Sequence, residues 1–270
     1  MSTPNVKDLY KLDGKVAIIT GASQDLGLDM AVALAQAGAD IVITSRTLAK
    51  AQKTAEHIKT SCGVDALGLQ LDHRHWDQVQ IMAEKAHAWK GHIDVLINNA
   101  GGRAARLESN LFKSSPEAIV DMIHSNLIGP LFCSKAIGRL MTEQGSGKII
   151  NIASIAGLVG RDRRMYSRND LHEQPVDYAA AKAGMIGMTR DLAGLMSPHG
   201  VCVNAISPGG FDKGDCPEPF VKDYGHSTML GHMGRMELDI KGAALFLASP
   251  ASDYVTGHNL VVDGGFTVWK

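Results

Sequence analysis

A doubly wound α/β domain with a mostly parallel seven-stranded sheet is the fold class this sequence predicts, and three observations predict it. Short apolar runs rich in β-branched residues recur along the chain and stop at Gly, Asn, Ser or Pro. Segments with apolar residues at helical spacing separate them, and such alternation favours parallel strands covered by helices on both faces. No internal repeat, low-complexity tract or linker interrupts the pattern, so residues 1–270 read as a single domain.

The first strand is expected over 15–20 (KVAIIT). A glycine-rich turn from Gly21 to Gly27 (GASQDLG) follows, then a helix over 28–37. A helix start presents unpaired N–H groups and the positive end of its dipole, which suits a pyrophosphate. The strand over 40–45 (DIVITS) completes a βαβ unit of about 30 residues, the length of a Rossmann-type dinucleotide site. Helices over 47–60 and 76–89 alternate with strands over 66–71 and 93–98, and the latter runs into Asn98-Asn99-Ala100-Gly101-Gly102. Residues 116–141 read as helical with an irregular point near Gly129-Pro130. The strand over 148–153 (KIINIA) ends at Ser154, and after a polar segment comes the helix that carries Tyr178. The strand over 201–206 (VCVNAI) runs into Ser207-Pro208-Gly209-Gly210. A lid-like stretch over 210–235, a helix over 237–248 and a last strand over 259–262 complete the chain.

A formal net charge of −1 gives no reason to expect a nucleic-acid or anionic-membrane partner. No apolar run approaches the ~20 residues of a membrane span. The first 13 residues are polar and lack the apolar core of a secretion signal. Cys62, Cys133, Cys202 and Cys216 are far apart, form no CxxC pair and read as buried thiols in a reducing cytoplasm. His73 and His75 form a close histidine pair that no cluster of acidic or sulfur ligands accompanies, so no metal site is expected.

Tyr178 and Lys182 stand four apart in a helical context, one turn from each other on one face. A fixed ammonium there favours the phenolate, lowering a pKa that starts near ~10. A tyrosine tuned in this way can exchange protons near neutrality.

Taken together, Thr20-Gly21…Gly27, Asn98-Asn99-Ala100-Gly101, Asn126, Ser154, Tyr178…Lys182, Pro208-Gly209 and Val262-Asp263-Gly264-Gly265 resemble the short-chain dehydrogenase/reductase family over almost the whole chain. The resemblance implies that Tyr178 exchanges a proton with the substrate oxygen and that Ser154 hydrogen-bonds the same oxygen. Lys182 would tune Tyr178 and hold the nicotinamide ribose, and Asn126 would fix a water leading from Lys182 to solvent. It further implies cofactor contacts from Gly21, Ser23, Gln24, Leu26, Gly27, Ser45, Arg46, Asp72, Asn99, Ala100, Gly101, Pro208 and Gly209, besides Tyr178 and Lys182. A homotetramer or homodimer is the assembly it implies.

Four departures from the family pattern stand out. Asp25 occupies a place where the family usually has glycine, and is expected to face solvent or cap the helix. No acid follows the second strand; Arg46 stands there instead and suits a 2′-phosphate, which favours NADP over NAD. Gln24 tempers that preference, since NADP-using relatives often have a basic residue there. Ser154 and Tyr178 are 24 positions apart, well beyond the usual spacing. The extra residues fall within 160–175 (GRDRRMYSRNDLHEQP), which holds Arg161, Asp162, Arg163, Arg164, Arg168, Asp170, His172 and Glu173. A segment so polar is expected to gain little from apolar burial and to turn its charges to water, another subunit or a polar substrate. Lastly, Pro208-Gly209-Gly210-Phe211-Asp212 lacks the threonine that relatives often place there for the carboxamide.

The expected activity is an oxidoreductase that interconverts a secondary alcohol and a ketone with NADP or NAD. The insert, and a looser likeness of Asn151-Ile152-Ala153-Ser154-Ile155-Ala156-Gly157 to gluconate-5-dehydrogenase-like members, favour a sugar, sugar acid or polyol. A 3-oxoacyl thioester reductase is the alternative, with the arginine-rich insert as a docking patch for an acyl carrier. A non-catalytic cofactor-binding scaffold is the remote one, and it would have no use for a proton relay.

Overall fold

The structure, a computed structural model, describes residues 5–102, 110–172 and 174–269, so Glu173 of the insert lies outside the described residues. The strands are β1 (Val16–Ile19), β2 (Asp40–Ser45), β3 (Ala66–Gln70), β4 (Val95–Asn98), β5 (Gly147–Ile152), β6 (Val201–Pro208), β7 (Phe211–Asp212), β8 (Gly234–Arg235) and β9 (Asn259–Val262). Seven of them form one sheet in the order β3-β2-β1-β4-β5-β6-β9. Every neighbouring pair in it is parallel. The chain reverses its direction of winding between β1 and β4, and open sheets bind ligands in the crevice beyond the carboxyl ends of the strands at such a point.

The helices are α1 (Asp25–Gln36), α2 (Leu48–Cys62), α3 (Trp76–Lys90), α4 (Pro116–Ile123), α5 (Gly129–Gln144), α6 (Arg164–Ser167), α7 (Val176–Met196), α8 (Glu218–His226) and α9 (Lys241–Ala248). The two faces of the sheet explain why its strands lack a polar side. Along β1, Ala17 and Ile19 point into a core shared with Met30 and Leu34 of α1, Ile58 of α2 and Leu247 of α9. Val16 and Ile18 point the other way, toward Met82 of α3, Ile137 of α5 and Leu192 of α7. Alternate residues thus serve opposite cores, and the strand reads as continuously apolar.

Three differences from the sequence expectation go beyond a residue or two at the end of an element. Helix α1 begins at Asp25 rather than at residue 28, because the turn is complete at Gln24, which is extended at φ −166°. Helix α9 begins at Lys241 rather than at 237, since Glu237 holds a left-handed φ of 61° that a helix cannot continue through. The single helix expected over 116–141 is two, joined by a π turn at His124–Ile128. Pro130 has no N–H to give the carbonyl four residues back, that of Asn126, and the chain widens there.

The insert corrects a larger expectation. Met165 and Tyr166 are buried in a separate small core with Phe220, Tyr224 and Met233 of the 210–235 segment, and Leu171 and Phe266 pack at its margin. Among sixteen mostly polar residues these few apolar ones suffice to seat the insert on the lid-like segment, so apolar burial does stabilise it.

Candidate active site

The glycine-rich turn is shaped by contacts that only glycine permits. Gly21 has φ +63°, and a Cβ there would lie 2.9 Å from the Cα of Ala100. At Gly27 a Cβ would come within 2.4 Å of the Asn99 carboxamide nitrogen. Below the turn, the Thr20 hydroxyl accepts from the amides of Asn99 and Ala100, both at 3.0 Å. The Asn99 carboxamide donates to the Thr20 carbonyl at 2.9 Å and the Gly21 carbonyl at 3.3 Å. Turn and β4 end are therefore one braced unit against the start of α1, and its glycines, where a Cβ would collide, fit the close backbone approach that a dinucleotide pyrophosphate needs. Thr20, absent from the expected contacts, is the residue that joins them.

Asp25 explains the family's glycine. Its φ is 54°, in the left-handed region that side chains seldom adopt. It does not cap the helix. Its carboxylate instead pairs with Lys213 of the lid-like segment at 2.7 Å and accepts from the Gln24 side chain at 3.1 Å. Ser23 and Leu26 are half-buried beside it and Gln24 is exposed.

Arg46, the residue expected at the adenosine, is exposed just past β2, and its carbonyl accepts from Gln70 at 3.0 Å. No ion pair engages its guanidinium among the described residues. Ser45 is half-buried, its hydroxyl accepting from the Thr47 amide at 3.4 Å. Asp72 is held by Arg74, whose Nη2 donates at 2.6 Å and whose Nε donates at 2.9 Å. That guanidinium holds its carboxyl down to about 2. Arg74 also reaches Asp121 of α4 at 2.6 Å.

The proton-transfer candidates gather at the end of β5. Ser154 leaves the strand in extended backbone, and its hydroxyl oxygen accepts from the Ala156 amide at 3.1 Å, which leaves the hydroxyl proton available to donate. Tyr178 and Lys182 lie on the first turns of α7, with the Lys182 ammonium 5.6 Å from the Tyr178 ring centroid. Lys182 is 3% exposed and donates to the Ile152 carbonyl at 2.7 Å. The close approach depends on Gly157, where a Cβ would sit 2.6 Å from the Lys182 carbonyl carbon. Burial pulls the Lys182 pKa down to about 7, so its charge is partial near neutrality rather than fixed as the sequence reading had it.

Asn126 occupies the π turn, fully buried. Its carboxamide brackets Gly102, accepting from the amide at 2.7 Å and donating to the carbonyl at 3.1 Å. Gly101, at φ +135°, has no room for a Cβ beside the Asn126 oxygen, which would be 2.7 Å away. One residue earlier, the Ser125 carbonyl is met by His73 Nε2 at 2.9 Å. His73 lies against Gly129, is 7% exposed, and burial pulls its pKa down to about 4, so the ring is neutral and donates. In the sequence His73 stands out only as half of a histidine pair, and no local spacing points to a contact 52 positions away. At the end of β6, Pro208 is buried, and the Gly209 amide donates to the Val262 carbonyl at 2.9 Å.

Residues 21–267 match a family model described as enoyl-(acyl carrier protein) reductase. The chain is 36% identical to the 2-dehydro-3-deoxy-D-gluconate 5-dehydrogenase of Escherichia coli K12, over 95% of this chain and 97% of that one. It is 33% identical to a 3-oxoacyl-[acyl-carrier-protein] reductase of Synechocystis, over 96% and 99%. A solved gluconate 5-dehydrogenase from Burkholderia cenocepacia, in complex with NADP and tartrate, superposes with a TM-score of 0.88 at 32% identity, covering 98% of this chain and 100% of that one. The chain belongs to the short-chain dehydrogenase/reductase family, whose members are NAD(P)-dependent oxidoreductases. Among the described residues, no helix is long and apolar enough to cross a membrane.

Proposed function

We propose that this chain interconverts a secondary alcohol and a ketone on a sugar acid, with NADP(H). The observation that carries the chemistry is the grouping at the β5 end: Ser154 with a hydroxyl proton to give, Tyr178, and a desolvated Lys182 one turn away. Bound in the glycine-lined cradle, the nicotinamide cofactor supplies the hydride acceptor or donor. The chain's own residues manage the oxygen. In the reducing direction Tyr178 gives its proton to the carbonyl oxygen while Ser154 donates a hydrogen bond to it, offsetting the charge that develops there. In the oxidising direction Tyr178 takes the hydroxyl proton. Lys182 stabilises the phenolate to the extent that it is charged. Asn126 acts through its backbone carbonyl, which lacks the donor Pro130 cannot provide, since its side chain is committed to Gly102.

The sugar-acid reading draws on the likeness to the Escherichia coli and Burkholderia proteins and on the arginines of the insert. A 3-oxoacyl thioester remains the second substrate class, favoured by the Synechocystis relative. NADP is the proposed cofactor because Arg46 stands exposed and unpaired where an adenosine 2′-phosphate would lie. We place the protein in the cytoplasm, where four free cysteines remain reduced, as a homodimer or homotetramer. The test is a panel of aldonic acids, neutral polyols and acetoacetyl thioesters, followed by reduced-cofactor absorbance with each nucleotide. Turnover confined to thioesters sinks the sugar-acid reading. Arg46→Ala should weaken NADP(H) binding about tenfold or more, and leave NAD(H) binding unchanged, as loss of one charge-assisted pair implies. Equal weakening of both sinks the 2′-phosphate role.

A further inference from the structure

The insert carries four arginines, and three of them lie on its outer surface. Arg164 pairs with Asp162 at 2.9 Å and Arg168 with Asp223 at 3.4 Å, while Arg163 is exposed. Arg161 alone turns inward. Its guanidinium carbon lies 4.9 Å from the Phe266 ring centroid, 5.6 Å from that of Tyr224 and 5.9 Å from that of Tyr166. Nη2 donates to the Tyr166 hydroxyl at 2.7 Å. Among the described residues no carboxylate pairs with it, although it is half-buried. Aromatic faces and a phenol oxygen offset part of the cost of removing a guanidinium from water, but cations in such surroundings are ordinarily paired.

The position of this cage is fixed from both sides. Upstream, Gly157 lies against the backbone of Lys182 and Ala183, four residues before Arg161. Downstream, the Tyr224 hydroxyl accepts from the amide of Gly210, directly after Pro208-Gly209. A Cβ on Gly210 would meet the Tyr224 ring at 2.6 Å. The cage is therefore tethered to the chain that leaves β5, which carries Ser154, and to the chain that leaves β6. A planar fork, oriented by three rings and short of an anion, is a ready receptor for a carboxylate.

We propose that Arg161 is the anchor for the substrate's carboxylate, held ready by Tyr166, Tyr224 and Phe266. This rests on the sugar-acid reading above. It assigns to one residue the role that the sequence spread over the whole insert. The other three arginines stand outside the site. A cement for the aromatic cluster is the competing role, and it predicts a change in stability with no preference between charged and neutral ligands.

The test titrates the enzyme–NADP complex with D-gluconate and with the neutral D-sorbitol by calorimetry, for wild type, Arg161→Met and Arg161→Lys. Wild type should bind gluconate more than tenfold tighter than sorbitol. Arg161→Met, which keeps the bulk and loses the fork, should bind the two alike, with NADP affinity unchanged. Arg161→Lys keeps a charge but cannot make two parallel bonds. It should lose about tenfold for gluconate and nothing for sorbitol, and it keeps the test decisive if the Met variant does not fold. Both variants retaining the wild-type preference for the acid overturns the anchor and leaves the sugar-acid reading standing. Wild type treating the two ligands alike overturns both.

Discussion

Tyr178 is the residue on which the proposed chemistry turns, since the proposal makes it the acid that exchanges a proton with the substrate oxygen. Tyr178→Phe should fold and bind cofactor with ordinary affinity while turnover falls by roughly 10²–10⁴, the usual contribution of a positioned acid/base. Retention of half the activity in steady-state assays would show that another group does this work. Asp25 makes a separate case at the same scale. Its left-handed backbone disfavours a side chain, and its ion pair with Lys213 joins two groups that are 39% and 41% exposed, where pairs contribute little. Asp25→Gly should leave stability unchanged or raise it by up to about 1 kcal/mol, and should tighten cofactor binding by removing a negative charge beside the phosphates. A lower unfolding midpoint in urea would mean the Lys213 pair outweighs the backbone strain.

At the scale of elements, the π turn between α4 and α5 is the feature that needs most explanation. Pro130 opens it, and His73, arriving from the loop after β3, closes it by donating to the Ser125 carbonyl. Gly129 lets the ring approach, since a Cβ there would lie 2.1 Å from it. Burial keeps the ring neutral, outweighing the hydrogen bond to Ser125 and the charge of Asp72, which favour protonation; Arg74 and Lys182 also oppose it. The folded pKa of about 4 lies below the ordinary 6.5, so the unfolded chain binds more protons between those values. Stability should be complete above pH 6.5 and fall as pH drops toward 4, by roughly 3 kcal/mol from this group. His73→Gln, which retains a donor without the titration, should flatten that slope in urea unfolding at pH 4.5 and 7. An unchanged slope would assign the acid sensitivity to another group.

Across the whole molecule, the insert and the 210–235 segment behave as one substructure, since Met165 and Tyr166 share a small core with Phe220, Tyr224 and Met233. Tyr166→Ser should remove aromatic contacts and the hydrogen bond to Arg161 together. Amide exchange should then speed up over 216–233 while β1, β4 and β5 keep their protection, because the sheet's two cores do not include this cluster. Uniform loss of protection would show that the cluster is continuous with the main cores.

Much of this was legible in the residues. Strand and helix order follow from short continuous apolar runs and from helical spacing, the glycine turn and Ser154 from their places at the ends of those runs, and the Tyr178–Lys182 face from a separation of four, all local properties of the chain. Pro130 marked the break in the long helix, though not its kind. What only the tertiary structure decided are the contacts between distant segments: Asp25 with Lys213, His73 with Ser125 across 52 positions, and the burial that brings Lys182 to about 7. The arginines of the insert look alike as a string of letters. Arg161 differs from its neighbours because Tyr224 and Phe266, far along the chain, fold over it, and no local period encodes a contact of that kind.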